Sequence, residues 1–107
     1  MNQHRLYSAT LGLHAPWIIT SISVDKESCR LDITIETTSD AAFSCPRCGC
    51  EAAPCETLDE TWYHQDFFDY CAYIHARVPH VSCRRGCGIS RVDVPWGRSG
   101  SRFLPLS

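Results

Sequence analysis

No stretch of this 107-residue chain is apolar for long enough to cross a membrane, and Met1-Asn-Gln-His-Arg-Leu-Tyr7 lacks the apolar core of a secretory leader. The expected compartment is therefore the reducing cytoplasm, where thiols persist rather than pair. Internal repeats, low-complexity tracts and long linkers are missing too, so a solenoid or a tethered array is excluded. Lysine is nearly absent: Lys26 stands alone, and every other fixed cation is arginine. A chain this short is one domain by size, with a modest core that gains from a staple. What it has in excess is cysteine. Eight in this length read as disulfides or as metal ligands, and a reducing compartment favours metal.

The cysteines are patterned. Cys45-Pro-Arg-Cys48-Gly49 and Cys83-Arg-Arg-Gly-Cys87-Gly88 each place two thiols two or three residues apart and follow them with glycine. Such a pair can turn tightly and aim both sulfurs at one tetrahedral zinc. The trailing glycine suits the left-handed backbone that the turn requires. Two such knuckles complete a four-thiolate Zn2+ site from Cys45, Cys48, Cys83 and Cys87. Four protein ligands leave no open position, which predicts a structural metal rather than a catalytic one. Cys45-Pro-Arg-Cys48 could also serve as a redox pair, but no thioredoxin-like βαβ pattern surrounds it.

Charge is unevenly spread. Residues 1–76 hold four fixed cations against eleven carboxylates, a net of −7, whereas residues 77–107 hold six arginines against Asp93, a net of +5. Arginine is the side chain best suited to bidentate phosphate or base contacts. Arg84, Arg85, Arg91, Arg98 and Arg102 are thus the expected contacts to double-stranded DNA. The competing account is that these arginines only offset the negative charge of zinc thiolates.

Along the chain, Leu6, Ala9, Leu11 and Leu13 predict a short helix limited by Gly12 and Pro16. A β-hairpin should follow, with Ile18, Ile22 and Val24 on one face, a turn at Asp25-Lys-Glu-Ser28, and Leu31, Ile33 and Ile35 alternating with Asp32, Thr34 and Glu36. After the first knuckle a loop is expected through Pro54, then an extended Thr61–Asp66. Tyr70, Ala72, Ile74, Ala76 and Val78 predict a strand leading into Cys83. Val92 and Val94 around Asp93 predict a short strand, and 97–107 an exposed tail.

Several residues have a plainer use than function. Cys50 and Cys55 lie near the first knuckle, but Cys-x-Cys spacing closes a tetrahedron poorly. Cys29 and Cys71 read as free thiols, and His64 as a hydrogen-bonded structural histidine. Trp62, Tyr63, Phe67 and Phe68 could stack bases, yet in so small a chain most of them are expected in the core.

The ordered set Cys45-Pro-Arg-Cys48-Gly49, Thr61-Trp62-Tyr63-His64-Gln65-Asp66, Ala76-Arg77-Val78-Pro79-His80-Val81-Ser82-Cys83, Val94-Pro95-Trp96 and Ser101-Arg102-Phe103 resembles the N-terminal zinc-finger region of the ISL-three family of bacterial insertion-sequence transposases. Leu11-Gly-Leu13, Pro16-Trp17 and the following hairpin are similar too, so the likeness covers most of the chain. It implies a DNA-associated module, with transposon ends as a candidate target. That module normally precedes a helix-turn-helix and a catalytic domain with an acidic metal-binding triad. This chain departs in two ways. Its second knuckle has three residues between the cysteines, where the family usually has two, which makes His80 a conceivable substitute ligand. It also stops at Ser107, where the family continues, so by resemblance it lacks the transposase active site and is not an enzyme.

These readings converge on a small β-rich (α+β), zinc-ribbon-like domain: a short N-terminal helix, a β-hairpin, then two Cys knuckles joined by antiparallel strands. It is expected as one zinc-binding unit over 1–107, with helix and hairpin in 1–40, ribbon in 41–96 and tail in 97–107. The leading function is DNA binding. A protein-interaction module, acting by dimerisation or as an inhibitor of other machinery, is the alternative, and thiol or zinc enzymology a third.

Overall fold

The computed structural model describes residues 3–14, 16–38, 42–97 and 103–106. They form a small β-rich domain with one short helix, α1 (Gln3–Leu11), and seven strands in one sheet. The strands are β1 (Trp17–Asp25), β2 (Arg30–Thr37), β3 (Phe43–Ser44), β4 (Glu51–Phe67), β5 (Tyr70–Cys83), β6 (Ile89–Arg91) and β7 (Leu104–Pro105). Their order is β1-β2-β5-β4-β3, with β6 beside β5 and β7 beside β4.

The sheet is organised by β4 and β5, which pair antiparallel from Ala52↔Cys83 to Phe67↔Tyr70. At about 3.3 Å per residue, fourteen residues of β5 reach roughly 45 Å. That length accounts for the 50 Å long axis of the molecule. The expected loop through Pro54 is therefore strand, and a bulge at Cys55 absorbs the irregularity. At the other end the hairpin closes through Phe68-Asp69, both with positive φ (53° and 67°). Two successive positive φ values match the right-handed strand twist in a two-residue hairpin. A phenylalanine there is strained, and its ring is held by Tyr7 at 5.3 Å and Phe67 at 4.7 Å.

Beside β2 the core lies on one face, and beyond Val78 the buried residues of β5 change parity to Pro79, Val81 and Cys83. Leu31, Ile33 and Ile35 are fully buried, as their alternation predicted, and β2 runs parallel to β5 with these residues beside Ala72, Ile74 and Ala76. Burying each such aliphatic contributes about 1.5–3 kcal/mol. In β1 the expectation needs correction. A bulge between Ile19 and Ser21 reverses the pleat, so Trp17 is buried and Ile19, Ile22 and Val24 pack against the core, while Ile18 is exposed. From α1, Tyr7 and Leu11 face the core and Leu6 does not. Trp96 sits edge-on to both Trp17 and Trp62, and joins the C-terminal part to the rest.

Two further expectations shift. Val92 and Val94 are buried around exposed Asp93, but the strand is β6, three residues earlier, and a 3-10 turn follows at Pro95–Gly97. The tail is not simply exposed: Phe103 is buried, β7 pairs with Trp62 and Tyr63, and the Leu106 N–H donates to the Thr61 carbonyl. No helix among the described residues is long and apolar enough to cross a membrane.

Candidate metal centre

β4 and β5 bring the two knuckles together. The first knuckle sits between β3 and β4, the second between β5 and β6, and the pairing Ala52↔Cys83 sets them side by side. In the first, the Gly49 N–H donates to the Cys45 carbonyl at 2.8 Å and the Cys45 N–H to the Cys50 carbonyl at 2.7 Å. In the second, the Cys83 N–H donates to the Gly88 carbonyl at 3.1 Å. Gly49 and Gly88 have φ of 77° and 90°, which side chains with a Cβ rarely adopt. Each glycine thus closes its loop as the spacing predicted.

The result is a cluster. The Sγ atoms of Cys45, Cys48, Cys83 and Cys87 all lie within 4.8 Å of one another, with Cys48 and Cys83 at 3.5 Å. A tetrahedral ion with bonds of ~2.3 Å needs sulfurs ~3.8 Å apart, so this arrangement fits a metal after small shifts of the side chains. Backbone donors are already aimed inward: the Arg47 N–H approaches Cys45 Sγ at 3.4 Å and the Arg85 N–H approaches Cys83 Sγ at 3.3 Å. Cys45 and Cys83 are buried, Cys87 is half-buried and Cys48 is exposed. An all-sulfur donor set of this kind selects soft or borderline cations.

Proton affinities follow from the crowding. Backbone N–H groups of Cys87 and Arg85 bring the Cys83 thiol down to about 6. Cys48 goes the other way. Its strongest single influence, the Cys50 N–H, favours the thiolate, but the thiols of Cys83, Cys87 and Cys45, together with desolvation, outweigh it and push Cys48 up to about 12. Without a cation, four adjacent sulfurs cannot all hold negative charge, so one ionises readily and another resists. A metal relieves this.

The substitutes considered from sequence stand apart. Cys50 contributes backbone groups, Cys55 sits in the β4 bulge and donates to the His80 carbonyl at 3.2 Å, and the Nε2 of His80 is buried without a partner. None of the three belongs to the four-sulfur group. All eight cysteines are free thiols. His64 Nδ1 accepts the Asp66 N–H at 2.9 Å, a local structural role.

The arginines divide. Arg84 and Arg85 are exposed on the second knuckle, Arg84 only loosely paired with Glu51 at 3.7 Å. Arg91 is committed, with Nε and NH2 each 2.7 Å from a Glu60 oxygen. Arg98 and Arg102 lie outside the described residues. Sequence reasoning missed Arg47, whose guanidinium donates to the Cys87 carbonyl at 3.2 Å and ties one knuckle to the other. Its position inside the Cys-x-x-Cys turn was the available signal. Also missed was a polar network on the open sheet face: Arg30 bidentate to Asp32 (2.9 and 3.1 Å), Asp32 to His75 Nε2 at 2.8 Å, and Arg30 over the Tyr73 ring at 4.2 Å. Comparison with protein-family models, with curated proteins and with solved structures gave no match for this chain.

Proposed function

We propose that the chain is a zinc-stabilised DNA-binding module of zinc-ribbon type, of the kind that its motif order resembles in ISL-three-type transposases. It acts by binding rather than by catalysis. The observation that carries this reading is the four-sulfur cluster at the end of the long β4–β5 hairpin, with Arg47, Arg84 and Arg85 exposed around it. Four thiolates would hold Zn2+ with no free coordination position, so the metal fixes the two knuckle loops. Fixed loops hold their guanidiniums at a set spacing, and that is what a row of phosphates requires. Among the described residues, Glu51, at the start of β4, is the carboxylate paired with these arginines, and only loosely with Arg84, so Arg47 and Arg85 keep their charge for a phosphate.

The test joins metal and salt. Metal analysis should find one zinc per chain. Affinity for duplex DNA should fall with salt at a log–log slope of about −0.9 per phosphate contact. Replacing Arg84 and Arg85 by Ala should reduce the slope by about 2 if each touches one phosphate, with zinc content unchanged. Failure to bind duplex at low salt, or an unchanged slope in the double variant, would leave the protein-interaction reading in its place. That reading is favoured by Ile89, which is exposed beside the second knuckle, and by the neutralisation of Arg91 by Glu60.

A further inference from the structure

The sheet has two long edges, and they are guarded differently. On the β4 side, β3 covers Glu51 and Ala52, β7 covers Trp62 and Tyr63, and Leu106 bonds Thr61, so among the described residues 53–60 is open along its outer edge. This stretch carries Pro54, the bulge at Cys55, and the carboxylates Glu56, Asp59 and Glu60. Proline, bulges and charge are the devices that stop an edge strand from pairing with another chain.

β1 forms the other edge and, among the described residues, pairs with β2 alone. Its residues 17–24 read Trp-Ile-Ile-Thr-Ser-Ile-Ser-Val, with no charge and no proline. Aliphatic β-branched residues and Thr20 dominate, and they favour extended backbone. Two guards remain, the bulge at Thr20 and Asp25 at the far end. Neither interrupts Ser21, Ile22, Ser23 and Val24. Ser21 and Ser23 are exposed, and small enough to let another backbone approach.

We propose that β1 pairs antiparallel with β1 of a second copy of this chain, about a two-fold axis close to Ser21–Ser23, and joins the two sheets into one. A two-fold interface must be complementary to itself, so any charge near the axis meets its own like. β1 meets that condition because its charge is confined to Asp25. About an axis near Ser21, Asp25 of one copy falls beside the Trp17 end of the other, away from its twin. The open edge of β4 fails the same condition, with three carboxylates and a proline. Because β1 runs antiparallel to β2, and β2 parallel to β5, the pair directs its two cysteine clusters to opposite poles. One strand pair buries less than the ~1,200–2,000 Å² of a standard interface, so the dimer is weak.

The experiment is sedimentation and light scattering of the zinc-loaded full chain from about 10 µM to about 1 mM, the range in which such small interfaces act. The mass of the wild-type chain should rise from one chain toward two. Ser21→Lys combined with Ser23→Lys sets lysines opposite lysines across the axis, and should keep the mass at one chain throughout with zinc content unchanged. Hydrogen exchange on the wild-type chain supplies a second reading that needs no variant: outward amides of 21–24 should slow as concentration rises, while those of β6 stay constant. A wild-type chain that stays single at the highest concentration overturns the proposal, even if β1 captures a foreign peptide. So does a double variant that associates like the wild type, or exchange in β1 that ignores concentration.

Discussion

The two halves of the β4–β5 hairpin are paired by the same hydrogen-bond ladder and stabilised by different physics. Toward the Phe68-Asp69 turn, β5 is flanked by β2, and one face is covered by α1 and aromatic rings, so Ala72, Ile74 and Ala76 are buried with Trp62 opposite. Toward the cysteines, β5 stays covered by β6 and Val92–Trp96, but β4 does not: 53–59 are exposed throughout, including Leu58 at 49%. A two-stranded ribbon is marginal in water without a hydrophobic face. Strand pairing can therefore outrun the core, but only if something clamps its far end. Here the clamp is the cysteine cluster.

The largest expected effect separates the halves directly. Chelation of the metal, or Cys83→Ser, should abolish metal binding and remove the protection of amides in β3, β6 and the cysteine-side part of β4. The amides of Ile33 and Ile74 should remain protected. Structural zinc contributes an apparent ~10–16 kcal/mol in isolated finger peptides, enough to decide whether these loops fold. Uptake must also release protons, since at neutral pH Cys83, at about 6, is mostly ionised, while Cys48, at about 12, is not. Affinity should thus weaken as pH falls, as proton release during titration would show. Uniform loss of protection would mean that the halves are one cooperative unit, and an unchanged pattern would mean that the ribbon needs no clamp.

The second effect acts from the other side. Trp96 is 2% exposed and touches Trp17 and Trp62 edge-on. Trp96→Ala should cost about 3–5 kcal/mol, as large-to-small changes in packed cores do. Its readout is a lower denaturant midpoint with zinc stoichiometry intact. A loss of zinc affinity of similar size would instead show that the aromatic core and the metal end are coupled.

What could be read in the sequence was whatever repeats or spaces itself locally. Alternation placed Leu31, Ile33, Ile35 and Ala72 to Val78, and knuckle spacing with trailing glycine picked out the four clustered cysteines. The failures have physical causes. A single bulge at Thr20 inverts the face of Ile18, and nothing in Ile-Ile-Thr-Ser marks it. Phe68-Asp69 closes a tight hairpin without Gly or Asn, because tertiary packing on Tyr7 holds a strained residue in place. The segment through Pro54 reads as loop, since the exposed strand at 53–59 has no core face to impose a pattern. The Arg91–Glu60 pair joins residues 31 positions apart, and charge content alone did not reveal that Arg91 had a partner.

That pair supports the last and smallest prediction, because it straps the two halves together. Arg91 reaches from β6 across β5 to Glu60 on β4, with both contacts at 2.7 Å, and its guanidinium lies 5.8 Å from the Trp62 ring centre. The Glu60 hydrogen bonds raise the Arg91 pKa further, against a smaller desolvation penalty. The pair is bidentate and charge-assisted, which strengthens it, but the Arg91 and Glu60 side chains keep 35% and 20% exposure, so solvent screens part of the gain. A double-mutant cycle over Arg91→Ala and Glu60→Ala should give a coupling of about 1 kcal/mol. Arg91→Lys should recover less than half of it, because lysine keeps the charge and loses the fork. Since this guanidinium is already engaged, Arg91→Ala should leave the salt slope of the proposed DNA binding unchanged, unlike the changes proposed at Arg84 and Arg85. A cycle coupling near zero would show that the halves meet only through the shared strands, and a reduced salt slope would return Arg91 to the DNA-contacting set.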